Sequence, residues 1–200
     1  MPFLNGYLLG LGMIVFVGPV FIQLITVSIR NGIKPGIFLA FGIFISDILC
    51  VILCRYGNSL ILLSEKSKLT LGLAGAALLL FLGVKTFLTN QEISRSNQSE
   101  SIAGITAAFA KGFLVNFVNP FVFLVWFGVT AYSKSKYLTT SNEFFYLSGV
   151  LTGILTLDII KVFLAKEIGR YLKADSHYWI YRVSGICLIG FSIRLLLDII

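Results

Sequence analysis

Charged residues are scarce in this chain of 200 residues, where Asp, Glu, Lys and Arg together make up only 12%. A soluble domain of ordinary composition carries roughly twice that fraction. Hydrophobic residues reach 57%, and the mean hydropathy is +0.92. The basic residues stand singly at the ends of apolar runs, as membrane insertion produces. The sequence therefore predicts an integral membrane protein, and its net charge of +7 does not indicate nucleic-acid binding.

Histidine and cysteine are nearly absent, which argues against several kinds of chemistry. The single histidine, His177, precedes an aromatic cluster of Tyr178, Trp179 and Tyr181 that is typical of a membrane interface. A membrane serine protease of the rhomboid kind needs a histidine within its spans, and the predicted spans contain none. The three cysteines form no CxxC pair, so we interpret them as small buried apolar residues. We expect no cofactor, no metal site and no enzymatic activity.

Charges divide the chain into six apolar blocks of helix length, since crossing the hydrocarbon takes about 20 residues. The stretch NQEISRSNQSES, residues 90–101, is polar without apolar periodicity and is predicted to be a loop. The first apolar run is too long for a cleaved signal peptide and lacks a basic leader, so we expect it to be retained. The predicted spans are residues 3–29, 36–54, 69–88, 112–133, 144–164 and 178–197.

Two of the predicted spans align without a gap. The segments GIFISDILCVIL (42–53) and GILTLDIIKVFL (153–164) share Gly, Ile, Asp, Ile, Val and Leu at the same six positions. Gly18-Pro19 in the first span likewise has a counterpart in Asn119-Pro120 in the fourth. Three helices per copy is an odd number, so the second copy must enter the membrane from the opposite side, as in many secondary transporters.

The repeat predicts an all-α integral membrane protein with six transmembrane helices arranged as two inverted three-helix repeats. The whole chain, residues 1–200, is then a single transmembrane transporter domain. Repeat one is expected at about residues 1–89, the polar loop at 90–103 and repeat two at about 104–200.

The two repeated prolines stand inside predicted spans, where each removes a backbone donor. The carbonyls of Val15 and Asn116 are expected to lose their helical partners, which lipid tolerates only in a polar cavity or inside protein. A kink that serves helix packing is the alternative reading of such prolines. Polar or small neighbours at both positions favour a site for a small polar solute. The predicted substrate-binding residues are Gly18, Pro19, Gln23, Asn116, Asn119 and Pro120.

Asp47 and Asp158 occupy equivalent positions in spans two and five, where an Asp costs about 2.5–3.5 kcal/mol on insertion scales. Lys161 follows Asp158 by three residues, so the two side chains can pair on one helix face. The equivalent position in the first copy is Cys50. A dry carboxylate without a cation takes up a proton more readily than one in water. We therefore expect Asp47 to carry a coupling proton, and Asp158 with Lys161 to form a structural or gating ion pair.

Two segments resemble signatures of a known transporter family, the LysE-type (LysE/RhtB) amino-acid exporters. GPVFIQLITVSIRNGIKPGIFLAFGIFISD (18–47) is similar to the first signature, which opens on Gly-Pro and runs through spaced glycines to an Asp. KGFLVNFVNP (111–120) is similar to the second. Phe121 departs from the family, which often has a basic residue after Asn-Pro, and this departure bears on the identity of the solute.

The resemblance implies a multi-pass protein of the bacterial cytoplasmic (inner) membrane. It implies export of amino acids or related small metabolites from the cytoplasm, by exchange with protons. The expected partners are a small-molecule substrate and the lipid bilayer, without nucleic acid, and a homo-oligomer is left open.

Other functions remain open from the residues alone. Two membrane aspartates suit an intramembrane protease dyad, but such enzymes carry GxGD, and here Gly42 and Gly153 precede the aspartates by five residues. A channel would need polar rings along a continuous pore, whereas polar residues here cluster at two breaks. The main alternative is an exporter of another small solute or a metal ion on the same inverted-repeat fold, which Cys50 and Cys54 keep open.

Overall fold

The computed structural model describes residues 1–13, 18–56, 65–88, 102–171 and 174–197, and these ranges contain helices and no strands. The all-helical prediction is confirmed for them. Ile102 and Ala103, the last two residues of the predicted polar loop, already belong to a helix, while the rest of that loop lies outside the described residues. In chain order the helices are α1 (Pro2–Gly12), α2 (Pro19–Asn31), α3 (Ile33–Tyr56), α4 (Glu65–Leu88), α5 (Ile102–Phe117), α6 (Pro120–Lys136), α7 (Thr140–Tyr171) and α8 (Ala174–Leu197).

Two of the described helices are long and apolar enough to cross a membrane by themselves, namely α3 and the stretch Thr140–Glu167 of α7. The pair α5 and α6 makes a third candidate, bent by 69° at the break between them. Shorter apolar stretches lie in α4 and α8. Large apolar side chains such as Phe81, Phe163 and Ile186 are exposed on the outer faces, as expected of helices in lipid. The fold is that of a membrane protein, and the number of six spans stays a prediction.

Three helix pairs make the most extensive contacts, and each joins the two halves of the chain. They are α1 with α7, α3 with α5, and α4 with α8. Glycines bring the first pair together, because a Cβ at Gly6 or Gly10 would overlap the backbone of α7. In turn, a Cβ at Gly149 or Gly153 would overlap the backbone of α1. Each helix therefore presents a GxxxG motif to the other, which allows the close helix contact that these glycines predict.

One residue, Gly32, connects α2 to α3. Its φ of +94° lies in a region that L side chains rarely adopt, and glycine enters it without a steric cost. The turn takes up a single residue, and α2 and α3 contact each other. It also sets the first residues of α2 beside the middle of α3, where the candidate site lies.

Both predicted breaks are helix boundaries. Pro19 begins α2 and Pro120 begins α6, and in the first helical turn a backbone N–H has no partner within the helix anyway. The Asn116 carbonyl accepts a hydrogen bond from the N–H of Asn119 at 3.2 Å. The prediction of a freed carbonyl at Asn116 is therefore wrong, because the chain leaves α5 before it reaches the proline. Val15, the counterpart in the first break, lies outside the described residues.

Candidate functional site

A cavity of about 450 Å³ lies between the two helix boundaries. Small-molecule sites in proteins usually measure roughly 300–1,000 Å³. Of the predicted substrate-binding residues, four line it: Gly18, Pro19, Asn116 and Asn119. Both aspartates and Lys161 line it as well. The remaining lining residues are Met13, Val20, Phe21, Leu24, Ile43, Leu79, Phe121, Val122, Val125, Trp126, Ile154, Phe191 and Arg194.

Asp47 reaches the cavity from α3 and is only 4% exposed. Its Oδ1 atom accepts two hydrogen bonds, from Nδ2 of Asn116 and from Nε1 of Trp126, both at 2.8 Å. Within the described part of the chain, Oδ2 accepts no hydrogen bond. The carboxylate is thus held in one orientation by two neutral donors, and its second oxygen is left for a proton or a solute.

Asn116 ties the end of α5 to α3. Besides Asp47, its amide nitrogen lies 3.1 Å from the Ser46 hydroxyl and 3.4 Å from the Ile43 carbonyl. The side chain is 3% exposed, so these groups have no competing water at the surface. The arrangement fixes the amide with its N–H groups toward the carboxylate. Asn116, which the sequence predicts to bind substrate, therefore also positions the Asp47 side chain.

Trp126 is a site residue that the sequence reading misses. It lies in α6, one turn and a half beyond Pro120, and is 2% exposed. A buried indole N–H nearly always finds an acceptor, so a tryptophan in the middle of a span is itself a signal for a buried acceptor nearby. Here that acceptor is Asp47, 79 residues earlier in the chain.

Asp158 and Lys161 form an ion pair within α7. The Lys161 ammonium lies 3.0 Å from Oδ1 of Asp158, as the spacing of three residues predicts, and both side chains are largely buried. The same ammonium lies 5.6 Å from the centre of the Phe21 ring in α2. The pair therefore touches the first turn of the broken helix, where a cation over an aromatic face is favourable.

Gln23 does not line the cavity. It is 1% exposed, and neither atom of its amide has a hydrogen-bond partner among the described residues. Along α2 it is turned by roughly 100° from the neighbouring Leu24, which does line the cavity. Pro120 begins α6, and its side chain lies outside the described part of the structure.

The two boundary helices begin differently at the cavity. Asn119 is the N-cap of α6, and its Oδ1 accepts a hydrogen bond from the N–H of Phe121 at 3.1 Å. The N-cap of α2 is Gly18, which has no side chain to offer. A helix start carries a partial positive charge, so two such starts make the cavity favourable to negative or polar groups.

Cys50 and Cys54 lie in an apolar cluster of α3 together with Trp126 and Val150. The interpretation of the cysteines as small buried apolar residues is therefore confirmed for these two. It is wrong for Cys187 in α8, which is only half-buried. Among the described residues, no group of three or more His, Cys, Asp or Glu side chains is arranged to hold a metal ion.

Comparison with known proteins agrees with this architecture. The sequence model of the family "LysE type translocator" matches residues 11–199. Over 193 residues the chain is 27% identical to a protein of Bacillus subtilis (strain 168) described as "Putative amino acid efflux protein YcgF", covering 95% of this chain and 92% of that protein. No solved structure matches the chain. Family members are transporters rather than enzymes, and this chain belongs to the LysE-type translocator family of multi-pass membrane proteins.

Proposed function

We propose that this protein exports amino acids or related small metabolites from the cytoplasm by exchange with protons, and that Asp47 carries the proton. The observation that supports this role is the setting of Asp47, a buried carboxylate on a solute-sized cavity with two neutral hydrogen-bond donors. Its counterpart Asp158 is paired with Lys161. An ion-paired carboxylate keeps its charge, whereas a carboxylate held by amide and indole N–H groups can gain a proton on its free oxygen without breaking an ion pair.

The proposed cycle uses this carboxylate in two states. When the cavity opens to the outside, Asp47 takes up a proton and the solute leaves. When it opens to the cytoplasm, the proton leaves and a solute molecule enters. Coupling requires that the cavity never connects both sides at once, which alternating access between two conformations provides.

The packing of glycines supports the inverted repeat as the framework of this cycle. Gly10 of α1 packs on Val150 of α7, and Gly112 of α5 packs on Leu39 of α3. Leu39 and Val150 are equivalent when the alignment of spans two and five is extended backward by three residues. Two further contacts correspond to each other in the same way when the two halves of the chain are interchanged. They are Gly42 with Phe109 and Gly153 with Tyr7. Such paired contacts are expected if α1–α4 form one repeat, near residues 1–89, and α5–α8 form the other, near 104–200.

The lining favours an organic solute over a metal ion. Of its two carboxylates, one is paired with Lys161, and the amides of Asn116 and Asn119 are ligands suited to polar organic groups. The bacterial relative described as an efflux protein supports an amino acid as the solute and the bacterial cytoplasmic membrane as the location.

Transport by the purified protein in liposomes tests the proposal. An imposed pH gradient should drive radiolabelled amino acid into the vesicles against its own gradient. Asp47→Asn mimics the protonated form, so gradient-driven uptake should fall to the level of empty vesicles. Exchange of labelled for unlabelled solute should remain measurable only at raised solute concentration, because the uncharged side chain binds the solute more weakly. Asn142→Asp, at an exposed position in the first turn of α7, is a control with the opposite charge change. Gradient-driven uptake that persists in Asp47→Asn would exclude this residue as the proton carrier.

A further inference from the structure

The cavity has two chemically different walls. Its charged side chains other than Arg194 come from α3 and α7, which pack against each other and contribute Asp47, Asp158 and Lys161. The other wall comes from α2, α4, α6 and α8, and Asn116 and Asn119 line the cavity where α5 ends and α6 begins. The lining side chains of this other wall are apolar apart from Trp126, whose N–H is already bonded to Asp47, and Arg194. A solute that fills this space must therefore be polar at one end and apolar at the other.

The charges on the polar wall restrict the solute further. Asp158 is compensated by Lys161 at 3.0 Å, which leaves Asp47 as the lining carboxylate with only neutral hydrogen-bond donors among the described residues. One ammonium group can be neutralised there. A second cation on the side chain, as in lysine or arginine, would lie against Leu24, Leu79 and their apolar neighbours. An unpaired charge in such surroundings is strongly unfavourable. A carboxylate on the side chain would meet the same apolar groups, and Arg194, the cation of this wall, already has an interaction within the protein.

We infer that the solute is a zwitterionic amino acid with an uncharged, apolar side chain of about the size of leucine or phenylalanine. This inference rests on the proposed exporter function and adds a substrate class to it. The amino group lies toward Asp47 on α3, and the carboxyl group lies toward the starts of α2 and α6. The side chain lies between Leu24 of α2, Leu79 of α4 and Phe191 of α8.

Competition between amino acids tests the substrate class on the unmodified protein. Exchange of radiolabelled leucine in liposomes is measured against unlabelled leucine, phenylalanine, alanine, lysine and glutamate. Since one methylene group in an apolar pocket changes recognition by about 10–200-fold, alanine should compete at least tenfold more weakly than leucine. Lysine and glutamate should not compete within the same concentration range.

A matched pair of variants adds a test of the apolar wall itself. Phe191→Ala enlarges the cavity, whereas Phe81→Ala removes the same side chain from the outer face of α4, where Phe81 is 63% exposed. The first change should shift the preference between phenylalanine and valine toward phenylalanine by about tenfold, and the second should leave it unchanged.

The outcomes separate this inference from the exporter proposal. If lysine, glutamate or alanine competes as well as leucine, the inference is overturned and the protein remains an amino-acid exporter. If Phe81→Ala shifts the preference as much as Phe191→Ala does, the assignment of the apolar wall fails. If no amino acid is exchanged at all, the exporter proposal and this inference are both overturned.

Discussion

The carboxylates of Asp47 and Asp158 line the same cavity from equivalent positions in the two halves of the chain, and they are held in different ways. Asp47 accepts hydrogen bonds from Asn116 and Trp126, whereas Asp158 is paired with Lys161. Three positions account for the difference. Cys50 stands where the second half has Lys161, and the first half has Val15 and Ile25 where the second has Asn116 and Trp126.

This comparison teaches how a repeated framework can contain an unsymmetrical site. The glycine contacts between helices follow the repeat closely, because both halves need the same close approach of backbones. The side chains around the two aspartates do not follow the repeat. A proton carrier and an ion pair have opposite requirements, since the first must change its charge and the second must keep it.

The largest effect should follow from breaking the ion pair. Asp158→Asn leaves the Lys161 ammonium without its partner in a buried setting, and removing one member of such a pair costs about 3–5 kcal/mol. We expect lower accumulation in the membrane and a lower melting temperature in detergent. The double variant Asp158→Asn with Lys161→Met removes both charges and should recover part of the loss. If the double variant is no more stable than the single one, the pair is not what stabilises this half.

The next effect concerns the symmetrical part of the comparison. A side chain at Gly10 or Gly112 would overlap the backbone of the facing helix, in α7 and α3 respectively. Overpacking of this kind typically costs about 1–3 kcal/mol, so Gly10→Val and Gly112→Val should lower the melting temperature by similar amounts. Gly12→Val and Gly128→Val are the controls. A Cβ at either position would have no heavy atom within 4 Å apart from its chain neighbours and the backbone of its own helix. Unequal losses at Gly10 and Gly112 would break the proposed equivalence of the halves.

A third effect, on the pH profile of transport rather than on stability, should follow from removing one donor to Asp47. Trp126→Phe keeps an aromatic ring but loses the N–H that bonds Oδ1. A hydrogen bond to a charged group is worth about 1.5–3 kcal/mol, so the ionised form of Asp47 becomes less favourable. Half-maximal exchange should then move to higher pH by about one to two units. Tyr132→Phe, which removes an exposed hydroxyl from the same helix, should leave the pH profile unchanged. A shift to lower pH in Trp126→Phe would contradict the assigned role of this hydrogen bond.

The smallest effect is expected at Gln23, whose counterpart in the second half is Leu124. Its buried amide has no partner among the described residues, which costs about 1–3 kcal/mol, so Gln23→Leu should raise the melting temperature slightly. Solute exchange should stay within twofold of the unmodified protein, because the cavity lining does not include this residue. A loss of exchange with unchanged stability would instead make Gln23 a solute contact in another state of the transport cycle.

Features that depend on neighbouring residues could be predicted from the sequence. The scarcity of charge and the helix-length apolar blocks predict a helical membrane protein, because lipid requires every backbone polar group to be satisfied within the span. Helical spacing alone accounts for the contact between Asp158 and Lys161. The prolines mark both helix boundaries, since proline lacks the N–H that a continuing helix would use.

Features that join distant residues were decided only by the tertiary structure. The donors to Asp47 lie 69 and 79 residues away, and no spacing in the sequence relates them. The position of Gln23 outside the cavity depends on how α2 is rotated against its neighbours. The hydrogen bond that the Asn116 carbonyl accepts from Asn119 depends on how the chain leaves α5. By itself the sequence determined an apolar, broken-helix membrane protein with two aspartates in its spans. Packing between the halves decided which aspartate has neutral partners and which side chains surround the solute, because those contacts depend on helix rotation and crossing rather than on local periodicity.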